Sequence, residues 1–382
     1  MRLLWPALMV SLLAGCSSSG PIHEPTPLEP LESGAGVRSL WSVSTPAGAE
    51  DTIYDTLRPV LSGEVLYSVG AAGIVQAHSV SNGKRLWKVE LETVISAGLG
   101  ASPELLLLGT AAGEVLALSR SDGALRWRSR VSSEVLAPPV AAKDNLVIVR
   151  CGDGVTEALS LDSGEQLWRF ASQVPSLSLR GVAMPVVSDD LVLLGLANGH
   201  LAALSVFDGV LQWEATVVVP QGRTDLERMV DVDAAPLVVG DVVYVTAHQG
   251  RVLALSKLTG TTLWSRDLGG SVGLALDQQT LYLVDDAGQI WALDRRNGAT
   301  LWKSEKLKYR EVGAPLAYDG AVVVGDFEGY LHWLAQSDGR IFARYQVDEA
   351  GIRVAPLERQ GILYSRSRSG KVEALRLRTQ QP

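Results

Sequence analysis

Short apolar runs and turn-forming residues alternate along this chain at a nearly constant spacing. One unit reads GEVLALSRSDGALRW from Gly113 to Trp127, and it follows the apolar run from Leu105 to Leu108. Apolar and small residues alternate after the first Gly, a polar turn with a second Gly follows, and the unit ends on Trp. Alternation of this kind predicts β-strands, and the Gly-containing turns between them predict hairpins.

This unit recurs, and the recurrence predicts the architecture. In six copies a second Gly falls ten residues after the first and a Trp falls four residues later: Gly73–Trp87, Gly113–Trp127, Gly154–Trp168, Gly199–Trp213, Gly250–Trp264 and Gly288–Trp302. A step from a small residue to Pro, such as Ala235-Pro236, precedes most apolar runs, and Pro is accommodated where a strand starts. Each unit therefore predicts four short strands in about forty residues, which is the period of a propeller blade.

Two incomplete copies determine the expected number of blades. A seventh copy has Ala343 in place of the Trp, and an eighth starts at Gly370 and lacks its last strand. Residues 37 to 43, which contain Leu40-Trp41, resemble that missing strand. We therefore expect an all-β fold: an eight-bladed β-propeller of four-stranded blades over residues 37–382, with the ring closed by N- and C-terminal strands in one blade. The repeated Trp is expected to pack against the neighbouring blade, with its indole N–H donating to a carbonyl.

The N-terminal residues predict export and a lipid anchor. Arg2 and the apolar run from Leu3 to Leu13 are typical of a signal peptide, assigned to residues 1–15, and are too short to span a membrane as a mature helix. Leu13 to Cys16 matches the bacterial lipoprotein pattern, in which the Cys thiol receives diacylglycerol; the alternative is an ordinary secretory signal with a chance Cys. Ser17 does not signal retention in the inner membrane, so we expect the protein to lie on the periplasmic face of the outer membrane. Residues 16–36 are expected to form the lipidated Cys and a flexible tether.

Composition and charge narrow the function further. The net charge of −8, with scattered Lys and Arg, argues against nucleic-acid binding. With Cys16 lipidated, Cys151 has no disulfide partner, and we expect it to be partly buried and inert. The five His residues lie in unrelated contexts, and Asp231-Val232-Asp233 lacks the further carboxylates and Gly of a calcium loop. The expectation is therefore no catalytic constellation, no metal and no cofactor.

The repeat is similar to the pyrroloquinoline-quinone-type repeat, Ala-x-Asp-x-x-Thr-Gly-x-x-x-Trp. Ala292 to Trp302 matches this pattern apart from Asn297. Eight blades also suit the quinoprotein dehydrogenases, so a quinone-dependent periplasmic dehydrogenase is one alternative. As a family those enzymes are larger and carry calcium ligands, a catalytic Asp and commonly adjacent Cys residues, whereas this sequence has no adjacent Cys. A propeller that binds small ligands or cell-wall material is a further alternative.

The lipoprotein motif, the single propeller and two local stretches together resemble the BamB family, the propeller lipoproteins of the outer-membrane β-barrel assembly machinery. The two stretches are Ser176 to Gly181 and Asp231 to Pro236. The resemblance implies a non-catalytic periplasmic scaffold that belongs to the barrel assembly complex. It also implies that the propeller binds the periplasmic POTRA domains of BamA and assists nascent outer-membrane proteins during their assembly and insertion.

Two connectors between blades are longer than the rest. Successive repeat glycines lie mostly 38 to 41 residues apart, but Gly154 and Gly199 are 45 residues apart and Gly199 and Gly250 are 51 apart. Both connectors run from the last strand of one blade to the first strand of the next, so they should emerge on the same face. Apolar residues in such a loop either fold back onto their blade or form a binding patch, and the resemblance implies the patch. The expected partner-binding residues are Leu177 and Leu179 for apolar contact, and Arg180, Asp231 and Asp233 for charged hydrogen bonds.

Overall fold

The computed structural model describes residues 23–31, 36–46, 57–175, 183–219, 230–248 and 250–378. The secondary-structure elements in these residues are all β-strands. The predicted signal peptide (1–15) and the predicted lipidation site Cys16 lie outside these residues. Among the described residues, no helix is long and apolar enough to cross a membrane.

The strands follow one another along the chain with short turns between them. The first sixteen are β1 (Val37–Ser44), β2 (Val60–Ser62), β3 (Val65–Val69), β4 (Ile74–Ser79), β5 (Arg85–Glu90), β6 (Ile95–Ala101), β7 (Leu105–Thr110), β8 (Glu114–Ser119), β9 (Leu125–Arg130), β10 (Val140–Ala142), β11 (Leu146–Arg150), β12 (Val155–Ser160), β13 (Gln166–Ala171), β14 (Val186–Ser188), β15 (Leu191–Gly195) and β16 (His200–Ser205). The remainder are β17 (Leu211–Thr216), β18 (Leu237–Val239), β19 (Val242–Thr246), β20 (Val252–Ser256), β21 (Thr262–Arg266), β22 (Leu274–Leu276), β23 (Thr280–Val284), β24 (Ile290–Asp294), β25 (Thr300–Ser304), β26 (Leu316–Tyr318), β27 (Ala321–Gly325), β28 (Tyr330–Ala335), β29 (Ile341–Gln346), β30 (Leu357–Arg359), β31 (Ile362–Arg366) and β32 (Lys371–Leu377).

These strands form eight antiparallel sheets of four strands each. Blade 1 contains β2 to β5, and each later blade takes the next four strands, so that blade 7 contains β26 to β29. Blade 8 has the order β30, β31, β32, β1, and β1 pairs with β32 from Val37↔Leu377 to Ser44↔Lys371. The predicted eight-bladed propeller, closed by residues 37 to 43 in the last blade, is therefore confirmed.

Burial depends on the position of a strand within its blade. The second and third strands are buried almost from end to end, as in β11, because neighbouring blades cover both of their faces. The fourth strands alternate exposed and buried positions, as in β13. The first strands of adjacent blades contact one another, β2 with β6 and β6 with β10, so these strands surround the axis and the fourth strands form the rim.

The antiparallel order sorts the loops onto two faces of the ring. Turns between second and third strands share one face with the connectors that lead to the next blade, and we call this the connector face. Backbone bonds join the two kinds of loop: the Val131 N–H donates to the Gly113 carbonyl at 3.0 Å, and the Val217 N–H donates to the Gly199 carbonyl at 3.0 Å. The two long connectors, from blade 3 to blade 4 and from blade 4 to blade 5, therefore emerge on the same face, as predicted.

The repeated Trp joins each blade to the next. Seven indole N–H groups donate to a backbone carbonyl of the following blade at 2.7–3.0 Å: those of Trp41, Trp87, Trp127, Trp168, Trp213, Trp264 and Trp302. Each ring also covers a turn glycine of that blade. At Gly260, φ is +68° and an added Cβ would lie 2.5 Å from Cε3 of Trp213, so both the left-handed backbone and the lack of space require glycine. The predicted packing role of the Trp is confirmed.

Blade 7 departs from the repeat next to blade 8, in which β32 and β1 are not consecutive strands joined by a hairpin turn. Elsewhere an Ala on the third strand lies opposite the Trp of the fourth, as in the pair Ala254↔Trp264. In blade 7 the pair is reversed, with Trp333 on β28 opposite Ala343 on β29. Trp333 is fully buried, in an apolar cluster that includes Leu363 of blade 8. The ring has therefore moved into the core between blades 7 and 8.

Cys151 lies at the start of the turn after β11 and is 1% exposed, so it is fully buried rather than partly buried as expected. Its backbone forms an isolated bridge with Val135 of the connector that leads into blade 3. Burial raises the pKa of the Cys151 thiol. A buried thiol that stays protonated is a poor nucleophile, which agrees with the inert role predicted for this residue.

Candidate partner interface

The predicted partner-binding residues divide between the described part of the chain and the rest. Leu177, Leu179 and Arg180 belong to the connector from blade 3 to blade 4 and lie outside the described residues. Asp231 and Asp233 are described, and they lie where the connector from blade 4 reaches blade 5. The structure thus places one half of the expected surface, on the connector face.

The end of this second connector passes directly over blade 4. Val232 is buried, and its N–H donates to the Leu196 carbonyl at 3.3 Å. An added Cβ on Gly195, the last residue of β15, would lie 2.3 Å from the Val232 carbonyl oxygen. Glycine is required there because the connector backbone occupies the space of a side chain. This close contact fixes the position of the backbone from which the Asp231 and Asp233 side chains extend.

The two carboxylates differ in what they offer to a partner. Asp231 is 1% exposed. Both carboxylate oxygens of Asp233 are buried, and neither has a hydrogen-bond partner among the described residues. Burial raises the pKa of Asp233 to about 7; the negative charge of Asp231 adds to this shift, and His248 and Arg150 oppose it. A charged donor that reached these buried oxygens would therefore displace no hydrogen bond of the described structure, and it would favour the ionised form of Asp233.

Three further charged residues lie near these carboxylates. Arg150 ends β11, is buried, and donates from Nη1 to the Gly195 carbonyl at 2.6 Å; burial lowers its pKa to about 10. His248 follows β19, and its Nδ1 lies 3.0 Å from Oδ1 of Asp286 in the turn after β23. The hydrogen bond to Asp286 raises the pKa of His248, and the negative charge of Asp233 adds to the shift. We call these residues the connector-face charge cluster: Arg150, Asp231, Asp233, His248 and Asp286.

Sequence reasoning missed Arg150, His248 and Asp286. The signal that could have found them is a charged or titratable residue at the end of the second strand of a blade or just after it. Arg150 ends the run LVIVR, while His248 and Asp286 follow shortly after YVT and TLYLV. Since every such position faces the same side of the ring, the repeat alone would have brought the three residues to the connector face.

The opposite face carries an open groove of about 1010 Å³ that extends across blades 1, 2 and 3, with Tyr67, Trp87 and Arg120 among its lining residues. The Arg120 guanidinium donates to three backbone carbonyls, those of Ser62, Ser102 and Pro103. Its carbon also lies 5.5 Å from the centre of the Tyr67 ring. These contacts join blades 1 and 2, so the charged group of Arg120 stabilises the fold. Within the described ranges, no three His, Cys, Asp or Glu side chains are gathered in a way that could hold a metal ion.

Comparison with known proteins decides the family. Residues 71–304 match the family model described as "Outer membrane protein assembly factor BamB". The outer membrane protein assembly factor BamB of Yersinia pestis is 34% identical to this chain, over 97% of this chain and 98% of its own. This chain belongs to the BamB family. The resemblance inferred from the lipoprotein motif and the two connector stretches is thereby confirmed.

Solved structures agree with this assignment. The crystal structure of BamB from Moraxella catarrhalis covers 89% of this chain and 100% of its own, with a TM-score of 0.81 at 27% identity. A quinohemoprotein alcohol dehydrogenase from Comamonas testosteroni covers 91% of this chain and 77% of its own, with a TM-score of 0.69 at 12% identity. At that identity the likeness shows the fold alone. The enzyme alternative and the BamB family thus share a propeller.

Proposed function

We propose that this chain is a non-catalytic assembly factor of the outer membrane. It acts as a lipid-anchored periplasmic scaffold that binds the POTRA domains of BamA and assists the assembly and insertion of β-barrel proteins. The observation that carries this proposal is membership of the BamB family over nearly the whole chain. The alternative function, that of a quinone-dependent dehydrogenase, is supported by the repeat pattern and the shared fold.

The burial of two His residues inside the blades supports a non-catalytic role. His332 is fully buried; its Nε2 lies 3.0 Å from Oδ2 of Asp326, and its Nδ1 accepts from Arg344 at 3.2 Å. Burial lowers the pKa of His332 and also lowers that of the buried His78. Side chains held in this way inside blades are neither accessible to a substrate nor free to exchange protons with it.

The arrangement of the connector face supports BamA binding at blades 3, 4 and 5. Both long connectors emerge there, and the connector-face charge cluster lies beside them. In this proposal Leu177 and Leu179 provide buried apolar contact. Arg180 and Asp233 provide charged hydrogen bonds that orient the POTRA domains, and Asp233 has no hydrogen-bond donor among the described residues. Asp231, for which the same role was expected, is 1% exposed, so it contributes the negative charge that it places beside Asp233 rather than a direct contact.

Co-purification of BamA with variants of the first connector tests this interface. Leu177→Asp, Leu179→Asp and Arg180→Ala should each reduce BamA recovery at least tenfold, because they remove apolar contact or a charged donor. The matched control is Leu258→Asp, which changes a leucine that is 82% exposed in the turn after β20, on the opposite face. All four proteins should keep the wild-type melting temperature. Unchanged recovery, or losses only in variants that also unfold, would place the binding surface elsewhere.

Membrane fractionation tests the anchor. Attachment by two or more acyl chains is stable, whereas a single chain gives marginal binding. Cys16→Ala should therefore leave unprocessed precursor or soluble periplasmic protein, whereas Cys151→Ala, which changes a buried thiol, should stay with the membranes. Membrane association of Cys16→Ala in a strain that lacks the other assembly components would show that the lipid assignment is wrong.

A further inference from the structure

Residues 23–31, within the segment expected to be a flexible tether, lie against blades 6 and 7. The Thr26 N–H donates to the Lys308 carbonyl at 3.0 Å. In return, Arg310 Nη1 donates to the Thr26 carbonyl at 3.2 Å, and Arg344 Nη1 donates to the Glu29 carbonyl at 3.1 Å. These contacts place residues 23–31 on the propeller, within the segment for which the sequence predicts a flexible tether.

Side-chain contacts of three kinds extend this docking. The Lys306 ammonium lies 2.7 and 2.8 Å from the two carboxylate oxygens of Glu29. The His23 ring stacks on Tyr309, with the ring centres 4.4 Å apart and the planes 15° from parallel. Leu28 packs against the apolar cluster shared by blades 6 and 7. Because the charged, aromatic and apolar contacts are spread along the segment, they hold its whole length.

The docking site is built from groups that the propeller itself holds in place. Arg310 is 3% exposed, and its Nε donates to Oδ2 of Asp326, which is fully buried, at 2.9 Å. Glu328 takes a second bond from the same guanidinium. Tyr309 has a φ of +60°, a left-handed conformation that costs a non-Gly residue about 1–2 kcal/mol. Such strain is maintained where the surrounding structure holds the conformation, and here the Tyr309 N–H donates to the Ala287 carbonyl at 2.7 Å.

We propose that residues 23–31 form a strap that moves the point where the lipid tether leaves the propeller from blade 8 to the connector face at blades 6 and 7, and thereby orients the ring on the membrane. An extended chain from Cys16 to Val37 would reach about 70 Å, whereas from Cys16 to His23 it reaches about 25 Å. The docked strap thus keeps the connector face of blades 6 and 7 close to the membrane. The docking of the strap on blades 6 and 7 is inferred from the contacts alone. The orientation of the ring on the membrane also depends on the proposed lipid at Cys16.

Amide hydrogen exchange on the full mature chain tests docking. The Thr26 amide should exchange at least tenfold more slowly than in an unstructured peptide, because it is bonded to the Lys308 carbonyl. The double variant Leu28→Asp/Glu29→Lys should abolish this protection. The control, Glu24→Lys, repeats the charge reversal of Glu29→Lys at an exposed residue with no hydrogen bond or ion pair to the described residues, and it should keep the protection. Exchange of wild-type Thr26 at the unstructured rate would overturn the strap.

Energy transfer to labelled vesicles tests the orientation. The lipidated chain, on vesicles of phosphatidylethanolamine and phosphatidylglycerol with acceptor-labelled headgroups, carries a donor at Glu349→Cys on the connector face or at Ser337→Cys on the opposite face. Both sites are exposed, whereas Cys151 is buried and stays unlabelled. Six-residue strands make the ring about 20 Å thick, so the two donors lie at different distances from the membrane. The donor at position 349 should therefore transfer energy to the labelled headgroups more efficiently than the donor at position 337.

The strap variant Leu28→Asp/Glu29→Lys should remove most of this difference between the two donors. Equal transfer from both donors in the otherwise unchanged chain would overturn the orientation. If no chain binds the vesicles, the lipid anchor fails and the orientation fails with it, whereas the exchange result still decides whether the strap docks.

Discussion

A single methyl group placed under a repeat Trp would test how tightly the blades are packed. Gly260 lies in the turn after β20 with φ +68°, and an added Cβ would lie 2.5 Å from Cε3 and 2.8 Å from Cδ2 of Trp213. Gly240 lies in the first turn of the same blade with φ +57°, and nothing lies within 4 Å of such a Cβ. Gly260→Ala and Gly240→Ala therefore add the same atom in a similar backbone conformation, with and without a steric overlap.

The structure indicates how different the two variants should be. A left-handed conformation costs Ala about 1–2 kcal/mol more than Gly, and the lower entropy of Ala in the unfolded chain offsets part of this. Gly240→Ala should therefore lower the free energy of unfolding by about 1 kcal/mol. At Gly260 the ring cannot easily retreat, because the Trp213 indole N–H donates to the Lys257 carbonyl at 2.8 Å. Overpacking costs about 1–3 kcal/mol, so Gly260→Ala should lower the free energy of unfolding by about 2–4 kcal/mol.

Urea unfolding followed by fluorescence and circular dichroism would measure both effects. We expect a clearly lower urea midpoint for Gly260→Ala than for Gly240→Ala, with the slope of the transition unchanged, since a change in midpoint alone reports a change in stability. Equal midpoints for the two variants would refute the reasoning. That result would mean that the Trp rings move aside without cost and that the contact between Trp and Gly does not hold neighbouring blades together.

Three further outcomes are expected. Because the pKa of Asp233 is raised to about 7 in the native state, the native protein keeps a proton there that the unfolded chain releases near pH 4. The melting temperature of the wild type should therefore fall as the pH rises from about 4 to 7, and that of Asp233→Asn should fall less. Deletion of residues 37–43 removes most of β1 and exposes the edge of β32, so the melting temperature should fall, whereas deletion of residues 17–22 should leave it unchanged; equal values would contradict the closure. Ala343→Trp places a second ring opposite Trp333 and should lower the melting temperature, and adding Trp333→Ala should restore part of it.

The fold could be predicted from the sequence because each blade repeats the same local pattern. The spacing of Gly and Trp identifies the turns, and Leu40-Trp41 retains enough of that pattern to be placed in the last blade. The reversed pair Trp333 and Ala343 could not be predicted in the same way. Trp333 packs in a cluster that includes Leu363 of blade 8, and no pattern inside blade 7 records that contact.

The candidate site was predictable only in part. Connector lengths placed Asp231 and Asp233 on the connector face, but the burial of Asp231 follows from the passage of Val232 over Gly195, a contact between distant parts of the chain. The strap was missed for a similar reason. A composition of Pro, Glu and Ser is typical of a flexible tether, and the groups that hold residues 23–31 belong to blades 6 and 7, almost three hundred positions further along the chain.

The affinity of the purified chain for the POTRA domains of BamA, measured at pH 8, tests the central claim most directly. Asp233→Asn preserves the shape of the side chain and removes the negative charge of a carboxylate whose buried oxygens have no hydrogen-bond donor among the described residues. A lost charge-assisted hydrogen bond corresponds to about 1.5–3 kcal/mol, so the Kd should rise tenfold or more. The control, Asp241→Asn, changes an exposed carboxylate in the first turn of the same blade, on the opposite face, and should bind like the wild type. If Asp233→Asn also binds like the wild type, the proposal that this face holds BamA is contradicted.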